Sequence, residues 1–128
     1  MPGLSLRLFP ERFAVVRLDA GALVPSWAQG GPFWSLTRTA AELSVVCRES
    51  QVPPQQAAER EFRLFEFLGP LPFSAVGVLA SVVEPLAKAR ISILALSTYD
   101  TDYLLVRDTH LAQACQVLAE AGHQLLDV

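Results

Sequence analysis

Basic residues and long apolar runs are scarce in this sequence of 128 residues, and both absences exclude classes of partner. The 10 Lys and Arg residues are scattered and outnumbered by 13 Asp and Glu, whereas a phosphate backbone is bound by clustered basic side chains. No run approaches the roughly 18 apolar residues that span a bilayer, and the N-terminus carries no signal-peptide pattern. We therefore expect a cytoplasmic protein with neither a nucleic-acid nor a membrane partner.

Cysteine and histidine are also rare, which leaves little material for catalysis or metal binding. Cys47 and Cys115 each lie within an apolar segment, so we interpret them as reduced, buried side chains rather than a disulfide. His110 and His123 have no second ligand at metal-binding spacing, and we expect both on the surface. No nucleophile frame, dinucleotide fingerprint or phosphate loop occurs. The sequence thus predicts no enzyme, no metal and no cofactor.

Hydrophobic residues make up 52% of the chain, and their periodicity is clearest in the second half. It predicts the order strand, helix, strand, strand, helix, strand, the ferredoxin-like arrangement of two helices on one face of an antiparallel sheet. The predicted elements are a strand at Phe62–Leu68, a helix from Val78 to about Ala89, strands at Ile91–Leu96 and Tyr103–Val106, a helix from Asp108 or Thr109 to Gly122, and a strand at His123–Val128. Within the first helix, Pro85 is expected to free the carbonyl of Ser81 and to bend the helix.

The first half is interpreted as a shortened copy of the same unit. An ungapped alignment supports this, because Leu36–Val46 matches Leu96–Val106 in polarity and in predicted strand ends. The predicted strands are Phe13–Leu18, Trp34–Thr39 and Leu43–Cys47, with room only for a short helix in Asp19–Gly31 and with Leu4–Phe9 as a strand that this unit borrows. The sequence therefore predicts two fused units, residues 1–61 including a linker and residues 62–128.

These segments resemble a known family. The match includes GPLPFSAVGVLASVVEPLAKARISILALSTYDTDYLLV, from Gly69 to Val106, and its most specific element is STYDTDY at Ser97–Tyr103. The sequence resembles small tandem ACT-domain proteins of bacteria, which are similar to parts of the CASTOR arginine sensors and to the regulatory domains of aspartate kinases. The resemblance implies an α+β fold of two ferredoxin-like ACT units, the first abbreviated. It also implies a regulatory module that binds a small ligand, usually an amino acid, where two units meet.

Arg90 departs from the family pattern, because members commonly have Gly between the first helix and the following strand. A non-glycine residue must then make the tight turn before Ile91, which costs about 1 kcal/mol if its φ is positive. The fold prediction is unaffected by this departure.

Two segments are expected to form the ligand site. The loop that enters the first predicted helix offers free backbone N–H groups to a carboxylate, and acidic and hydroxyl side chains between the last two strands of the motif suit an ammonium or a cationic side chain. The candidate ligand contacts are Pro72, Phe73, Ser74, Ala75, Val76, Gly77, Val78, Ser97, Thr98, Tyr99, Asp100, Thr101 and Asp102, with Thr37 and Arg38 from the first unit. In the arginine sensors that the chain resembles, the acidic residue matching Asp102 contacts the ligand.

Structural interpretations of the same residues stay open. Asp and Thr are common turn residues, so Ser97–Asp102 is also explained as a well-formed hairpin loop. Arg38 and Glu42 are likewise explained as an exposed ion pair at a strand end. Trp27 and Trp34 are more typical of a core or an interface than of a ligand-stacking site.

Two functions compete. In the first, the protein is a sensor: a small-molecule amino acid binds between ACT units, stabilises one packing, and a homodimer mate or an unidentified regulated protein responds. Two carboxylates favour a cation such as arginine or lysine, whereas one carboxylate serves the ammonium of any amino acid. The alternative is a ligand-independent interaction module that assembles through sheet edges or helix faces.

Overall fold

The computed structural model describes residues 3–127, and these divide into two compact units. The small unit is Glu11–Phe62, and the large unit is the rest of the described chain. The strand Ser5–Leu18 begins in the large unit and ends in the small one, so the N-terminal segment belongs to the large unit. Whether residues 1–61 and 62–128 are two copies of one ACT unit stays a prediction.

The α+β class predicted from the sequence is confirmed, with seven strands and two α-helices in the described residues. The strands are β1 (Ser5–Leu18), β2 (Ser35–Arg38), β3 (Leu43–Arg48), β4 (Glu59–Phe67), β5 (Ile93–Ser97), β6 (Asp102–Arg107) and β7 (Gln124–Asp127), and the helices are α1 (Val78–Lys88) and α2 (Leu111–Glu120). Short 3-10 turns occupy Ser26–Ala28, Glu49–Gln51 and Asp108–His110. In the part of the chain that the structure describes, neither helix is long and apolar enough to cross a membrane.

The large unit contains the predicted ferredoxin-like order β4, α1, β5, β6, α2, β7. Its strands are arranged β7-β1-β4-β6-β5, because the start of β1 lies between β7 and β4. Residues 5–8 of β1 pair in parallel with β7, from Ser5 opposite Gln124 to Leu8 opposite Asp127. The prediction that Leu4–Phe9 completes the sheet of the first half is therefore wrong, since main-chain pairing joins this segment to β7.

One apolar core lies beneath the helices of the large unit. Its members come from the two helices and from the strands that the helices cover, as the periodicity of the sequence predicts. The buried residues are Leu6, Phe65, Phe67, Val82, Leu86, Ile91, Leu104, Val106, Ala114 and Leu118. Helix α1 packs on this core through Val82 and Leu86, whereas Val78 and Leu79 in its first turn are only half-buried at the edge of the core.

Pro85 and His123 both determine the hydrogen bonding of one backbone carbonyl, that of Ser81. Proline has no N–H, so the carbonyl of Ser81 has no helical partner one turn later, as the sequence predicts. His123 Nε2 donates to that carbonyl at 2.9 Å, and its Nδ1 accepts the N–H of Leu4 at 3.1 Å. The expectation of two surface histidines is wrong for His123, which is 7% exposed, because both ring nitrogens have backbone partners there.

In the small unit, β2, β3 and the end of β1 pair as antiparallel neighbours, and the first residues of β4 also belong to this unit. A 3-10 turn at Ser26–Ala28 lies in the connection between β1 and β2. The core of this unit is formed by Ala14, Val16, Ala28, Leu43, Val45, Cys47 and Val52. Trp27 packs against this core, whereas the side chain of Trp34 is 42% exposed. The two cysteines form no disulfide, and burial raises the pKa of the Cys47 thiol despite the opposing charge of Arg48.

The register of the two hairpins corrects the internal alignment by one residue. Arg38 pairs with Leu43 at the end of the β2-β3 hairpin, and Ser97 pairs with Asp102 at the end of the β5-β6 hairpin. Thr39 therefore corresponds to Thr98, whereas the ungapped match of Leu36 with Leu96 pairs Thr39 with Tyr99. A slip of one residue moves every side chain to the opposite face of a strand.

Local details of the two hairpins support the corrected register. The amide of Thr39 donates to the carbonyl of Glu42 at 2.8 Å, as that of Thr98 donates to Thr101 at 2.8 Å. A 3-10 turn follows each hairpin, at Glu49–Gln51 after β3 and at Asp108–His110 after β6. The strands VVCRES and LLVRDT then match at each position, with an arginine before each 3-10 turn.

Arg90 makes the turn between α1 and β5 with a left-handed backbone, at φ 61°. The turn is closed by the amide of Ile91, which donates to the carbonyl of Leu86 at 3.0 Å. This conformation is strained for a side chain with a Cβ and is the strain expected from the missing glycine.

Candidate functional site

Two of the predicted segments line a single cavity of about 360 Å³ in the large unit. One wall is the loop and first turn of α1, and the other is the turn between β5 and β6. The lining residues are Leu71, Pro72, Phe73, Ala75, Gly77, Val78, Leu79, Ala80, Ser97, Thr98, Tyr99, Asp100, Thr101 and Asp102. This volume suits a small organic molecule of the size of an amino acid.

The first wall ends in the N-terminus of α1. Gly77 adopts φ 79°, a conformation that glycine tolerates, and the chain enters the helix at Val78 without a side-chain cap. The amide of Ser81 is the first to bond back, to the carbonyl of Gly77 at 3.0 Å. The N–H groups of Val78, Leu79 and Ala80 have no helical acceptor, so this wall presents donors and a positive helix end.

The second wall is a tight turn held from within. The hydroxyl of Thr98 lies 3.1 Å from the carbonyl of Thr101 and 3.3 Å from its amide. The hydroxyl of Thr101 is buried and donates to the carbonyl of Phe67 at 2.6 Å. Thr98 and Thr101 therefore stabilise the turn itself, as the structural interpretation of these residues holds.

A backbone hydrogen bond ties the two walls together. The amide of Leu71 donates to the carbonyl of Asp100 at 2.7 Å. Because Leu71 follows β4 and Asp100 follows β5, this bond fixes the loop against the turn.

Both charged side chains among the residues that line the cavity are acidic. Asp102 accepts a hydrogen bond from the hydroxyl of Ser97 at 2.6 Å, which orients one carboxylate oxygen, and Asp100 is exposed in the turn. No Lys, Arg or His belongs to this lining set. The second wall is therefore negative and faces a helix end that is positive, a distribution that fits a zwitterion.

Apolar side chains rim the opening. The rings of Phe73 and Tyr99 meet edge to face with centroids 4.6 Å apart, joining the two walls across the mouth. They are nevertheless 76% and 79% exposed, and Val76 in the same loop is 87% exposed. Large apolar side chains with this degree of solvent exposure are typical of a surface that a ligand or another chain covers.

Four predicted contacts do not line the cavity. Ser74 and Val76 lie in the same loop but are absent from its lining, and Thr37 and Arg38 belong to the small unit. Arg38 instead donates to the carbonyls of Ala20 and Ala22. Leu71, which begins the loop expected to form one wall, lines the cavity although it was not named as a ligand contact. Two lining residues were missed, Leu79 and Ala80; both follow the predicted helix start and were available from its position.

Tyr103 lies directly after the turn, on β6. Its hydroxyl donates to Glu66 Oε2 at 3.4 Å, and Glu66 also pairs with Arg7 at 3.6 Å. Burial raises the pKa of Tyr103, and the charge of Glu66 raises this pKa further. Within residues 3–127, no three His, Cys, Asp or Glu side chains group in a way that could hold a metal ion.

A family model for the ACT domain matches residues 57–120, half of the chain. The chain belongs to the ACT-domain family. A second family model, described as an N-terminal domain, matches residues 11–55. The ACT match includes both walls of the cavity, and the predicted family resemblance is confirmed.

Relatives of known structure or role share this fold. A crystal structure of a protein from Agobacterium tumefaciens is 38% identical, covers all of this chain and 96% of that chain, and superimposes with a TM-score of 0.94. The regulatory subunit of aspartate kinase from Thermus flavus is 9% identical with a TM-score of 0.62, covering 94% of this chain and 99% of that one, which shows the fold alone.

A curated relative is a sensor. The cytosolic arginine sensor for mTORC1 subunit 1 of Bos taurus is 35% identical over 98 residues, which is 68% of this chain and 30% of that protein. The human protein of the same name is 31% identical over 99 residues. This ACT chain thus spans about 30% of the length of these relatives.

Proposed function

We propose that this ACT protein is a regulatory module that binds an amino acid in the cavity of the large unit. One observation carries the proposal: a single cavity joins an uncapped helix N-terminus to a turn with two carboxylates, Asp100 and Asp102. An amino acid presents opposite charges a few ångströms apart, and this arrangement supplies a partner for each.

The first turn of α1 is the proposed carboxylate site. Donors from Val78 to Ala80 lack helical acceptors, and the open approach at Gly77 allows an anion to come close to the backbone. Asp102, oriented by Ser97, is the proposed partner of the ligand's positive charge.

Basic amino acids are the favoured ligands. Asp100 and Asp102 give the cavity more negative charge than the ammonium of a neutral amino acid needs, and its described lining holds no compensating cation. The name of a relative that covers 68% of this chain, an arginine sensor, points the same way. We therefore rank arginine and lysine ahead of neutral amino acids, with acidic ones excluded by repulsion.

Regulation requires that binding change something that a partner reads. A ligand shifts a conformational equilibrium only by its difference in affinity between two states. The rim of Phe73, Val76 and Tyr99 adjoins the cavity, so a bound ligand alters the surface that a homodimer mate or a regulated protein contacts. The property proposed for the partner is that its surface covers this rim.

The proposal is tested by thermal unfolding with each of the twenty amino acids. A ligand at about 100 times its Kd adds about 2.7 kcal/mol of stability, which is readily seen as a rise in Tm. We expect a rise with a basic amino acid, and loss of this rise in Asp102→Asn. Asp19→Asn, which removes an exposed carboxylate of the small unit, is the matched control and keeps the response.

The exposed rim favours a second candidate, an interaction module that needs no ligand. This candidate predicts self-association whose extent, measured by sedimentation velocity, is the same with and without amino acids. If no amino acid raises the Tm of the wild-type protein, the sensor proposal is abandoned in favour of this module.

A further inference from the structure

The corrected hairpin register reveals what occupies the position of the cavity in the small unit. Ser97 and Asp102, which line the cavity, close the β5-β6 hairpin as a pair. The corresponding pair in the β2-β3 hairpin is Arg38 and Leu43. The small unit therefore has an arginine in place of a serine and an apolar residue in place of the proposed ligand-binding carboxylate.

Arg38 uses its guanidinium within its own unit. Its two terminal nitrogens donate to the carbonyls of Ala20 and Ala22, the latter at 2.7 Å. These carbonyls lie in the loop that follows β1, which corresponds to the loop from Leu71 that follows β4. A forked contact to two carbonyls holds that loop against the hairpin, in the position where the large unit leaves a cavity.

A second arginine strengthens the same closure. The corrected register matches Ala41 with Asp100, so the other carboxylate of the cavity also has no counterpart. The carbonyl of Asp100 accepts the amide of Leu71, whereas the carbonyl of Ala41 accepts the guanidinium of Arg17 at 2.9 Å. The acidic cavity wall of the large unit therefore corresponds, in the small unit, to a turn and a loop whose carbonyls are bonded by two arginines.

We infer that Arg38 closes the small unit's counterpart of the cavity, so that each chain takes one amino acid and takes it in the large unit. The number of ligands rests on the proposed function, whereas the closure stands on the hydrogen bonds of Arg38. A separate cavity of about 420 Å³ in the small unit is lined in part by Arg17 and Glu42, but its other wall is formed by residues 57–59 and not by the loop of Ala20–Ala22, so it is not this counterpart.

The closure is tested by exchanging the two corresponding residues. Arg38→Ser gives the small unit the residue of the large one, and we expect Tm to fall by about 3 °C. Arg38→Lys keeps the charge, but an ammonium group lacks the two spread N–H donors of a guanidinium that bond two carbonyls, so we expect its Tm to fall by a similar amount. Unchanged Tm in both variants overturns the closure, and this readout needs no ligand.

The reciprocal exchange tests the correspondence between the two positions. Ser97→Arg is expected to fill the cavity and weaken amino-acid binding by more than about tenfold, with the fold retained by circular dichroism. Ser97→Ala, which removes only the hydroxyl bond to Asp102, is the control and weakens binding less. Wild-type affinity in Ser97→Arg contradicts the correspondence.

Isothermal titration gives the number of sites. We expect one ligand per chain in the wild type. We also expect one in Arg38→Ser, because the opened small unit still lacks counterparts of Asp100 and Asp102, with affinity within about threefold of the wild type. Two ligands per wild-type chain, or loss of binding in a folded Arg38→Ser protein, overturns the inference, the second result making Arg38 a ligand contact. Absence of all binding rejects the proposed function, and the Tm comparison then decides the closure alone.

Discussion

Thr101 shows how roles divide within a segment whose residues were all candidate ligand contacts. Its hydroxyl is buried against the carbonyl of Phe67, so it anchors the turn to β4 rather than facing the cavity with its polar atom. Asp102, one residue later, keeps an oriented carboxylate at the cavity. Turn chemistry predicted both roles for the segment. Packing shows that Thr101 has the structural role, whereas ligand contact by Asp102 stays a prediction.

Replacing Thr101 by valine tests this anchoring role. The variant keeps the side chain's shape but leaves the Phe67 carbonyl without its donor, so we expect the free energy of unfolding to fall by about 1–2 kcal/mol. Urea denaturation measures the change. Thr109→Val, at an exposed position, serves as control and should stay within about 0.5 kcal/mol of the wild type; equal stability of both variants contradicts the anchoring role.

At the scale of the element, helix α1 depends on a residue far away in the sequence. Pro85 frees the carbonyl of Ser81 inside the helix, and His123 supplies the missing donor while accepting the amide of Leu4. The helix whose first turn lines the cavity is thereby attached to the starts of β1 and β7. A helix interrupted by proline is thus stabilised in place by a tertiary contact.

A double-mutant cycle measures this coupling. His123→Leu removes both bonds and is expected to lower stability by about 3 kcal/mol. In the Pro85→Ala background, the new amide of residue 85 donates to the carbonyl of Ser81. The loss of stability caused by His123→Leu should therefore be smaller there by about 1 kcal/mol. Urea unfolding of the four proteins gives the coupling energy. Strictly additive effects would show that the two residues act independently.

At the scale of the whole molecule, two strands link the compact units through the chain itself. β1 and β4 each begin in one unit and end in the other. Unfolding either unit alone would break a strand in its middle, which favours a single cooperative transition.

The chain carries natural probes for this expectation. Trp27 and Trp34 both lie in the small unit, whereas α1 and α2 lie in the large unit. Tryptophan fluorescence and far-ultraviolet circular dichroism should therefore give the same urea midpoint. Two separated midpoints would show that the units unfold independently despite the continuous strands.

The predicted repeat was aligned by side-chain polarity, which does not determine the register of a strand. Matching polarity over Leu36–Val46 and Leu96–Val106 identified the two hairpins but paired them one residue out of register. Alternating strands look alike at neighbouring offsets, whereas the hydrogen bonds of Thr39 and Thr98 distinguish them. Only the strand register places Arg38 and Ser97 at the same position of their respective hairpins.

The amino-acid sequence alone determined the α+β class, the order of the elements in the large unit and the two segments that line the cavity. These follow from local periodicity and turn chemistry, which are written in neighbouring residues. Tertiary structure decided that β1 pairs with β7, that His123 is buried and that Arg38 bonds within the small unit. Each of these depends on which distant backbone groups need a partner, and that need arises only when the chain has packed.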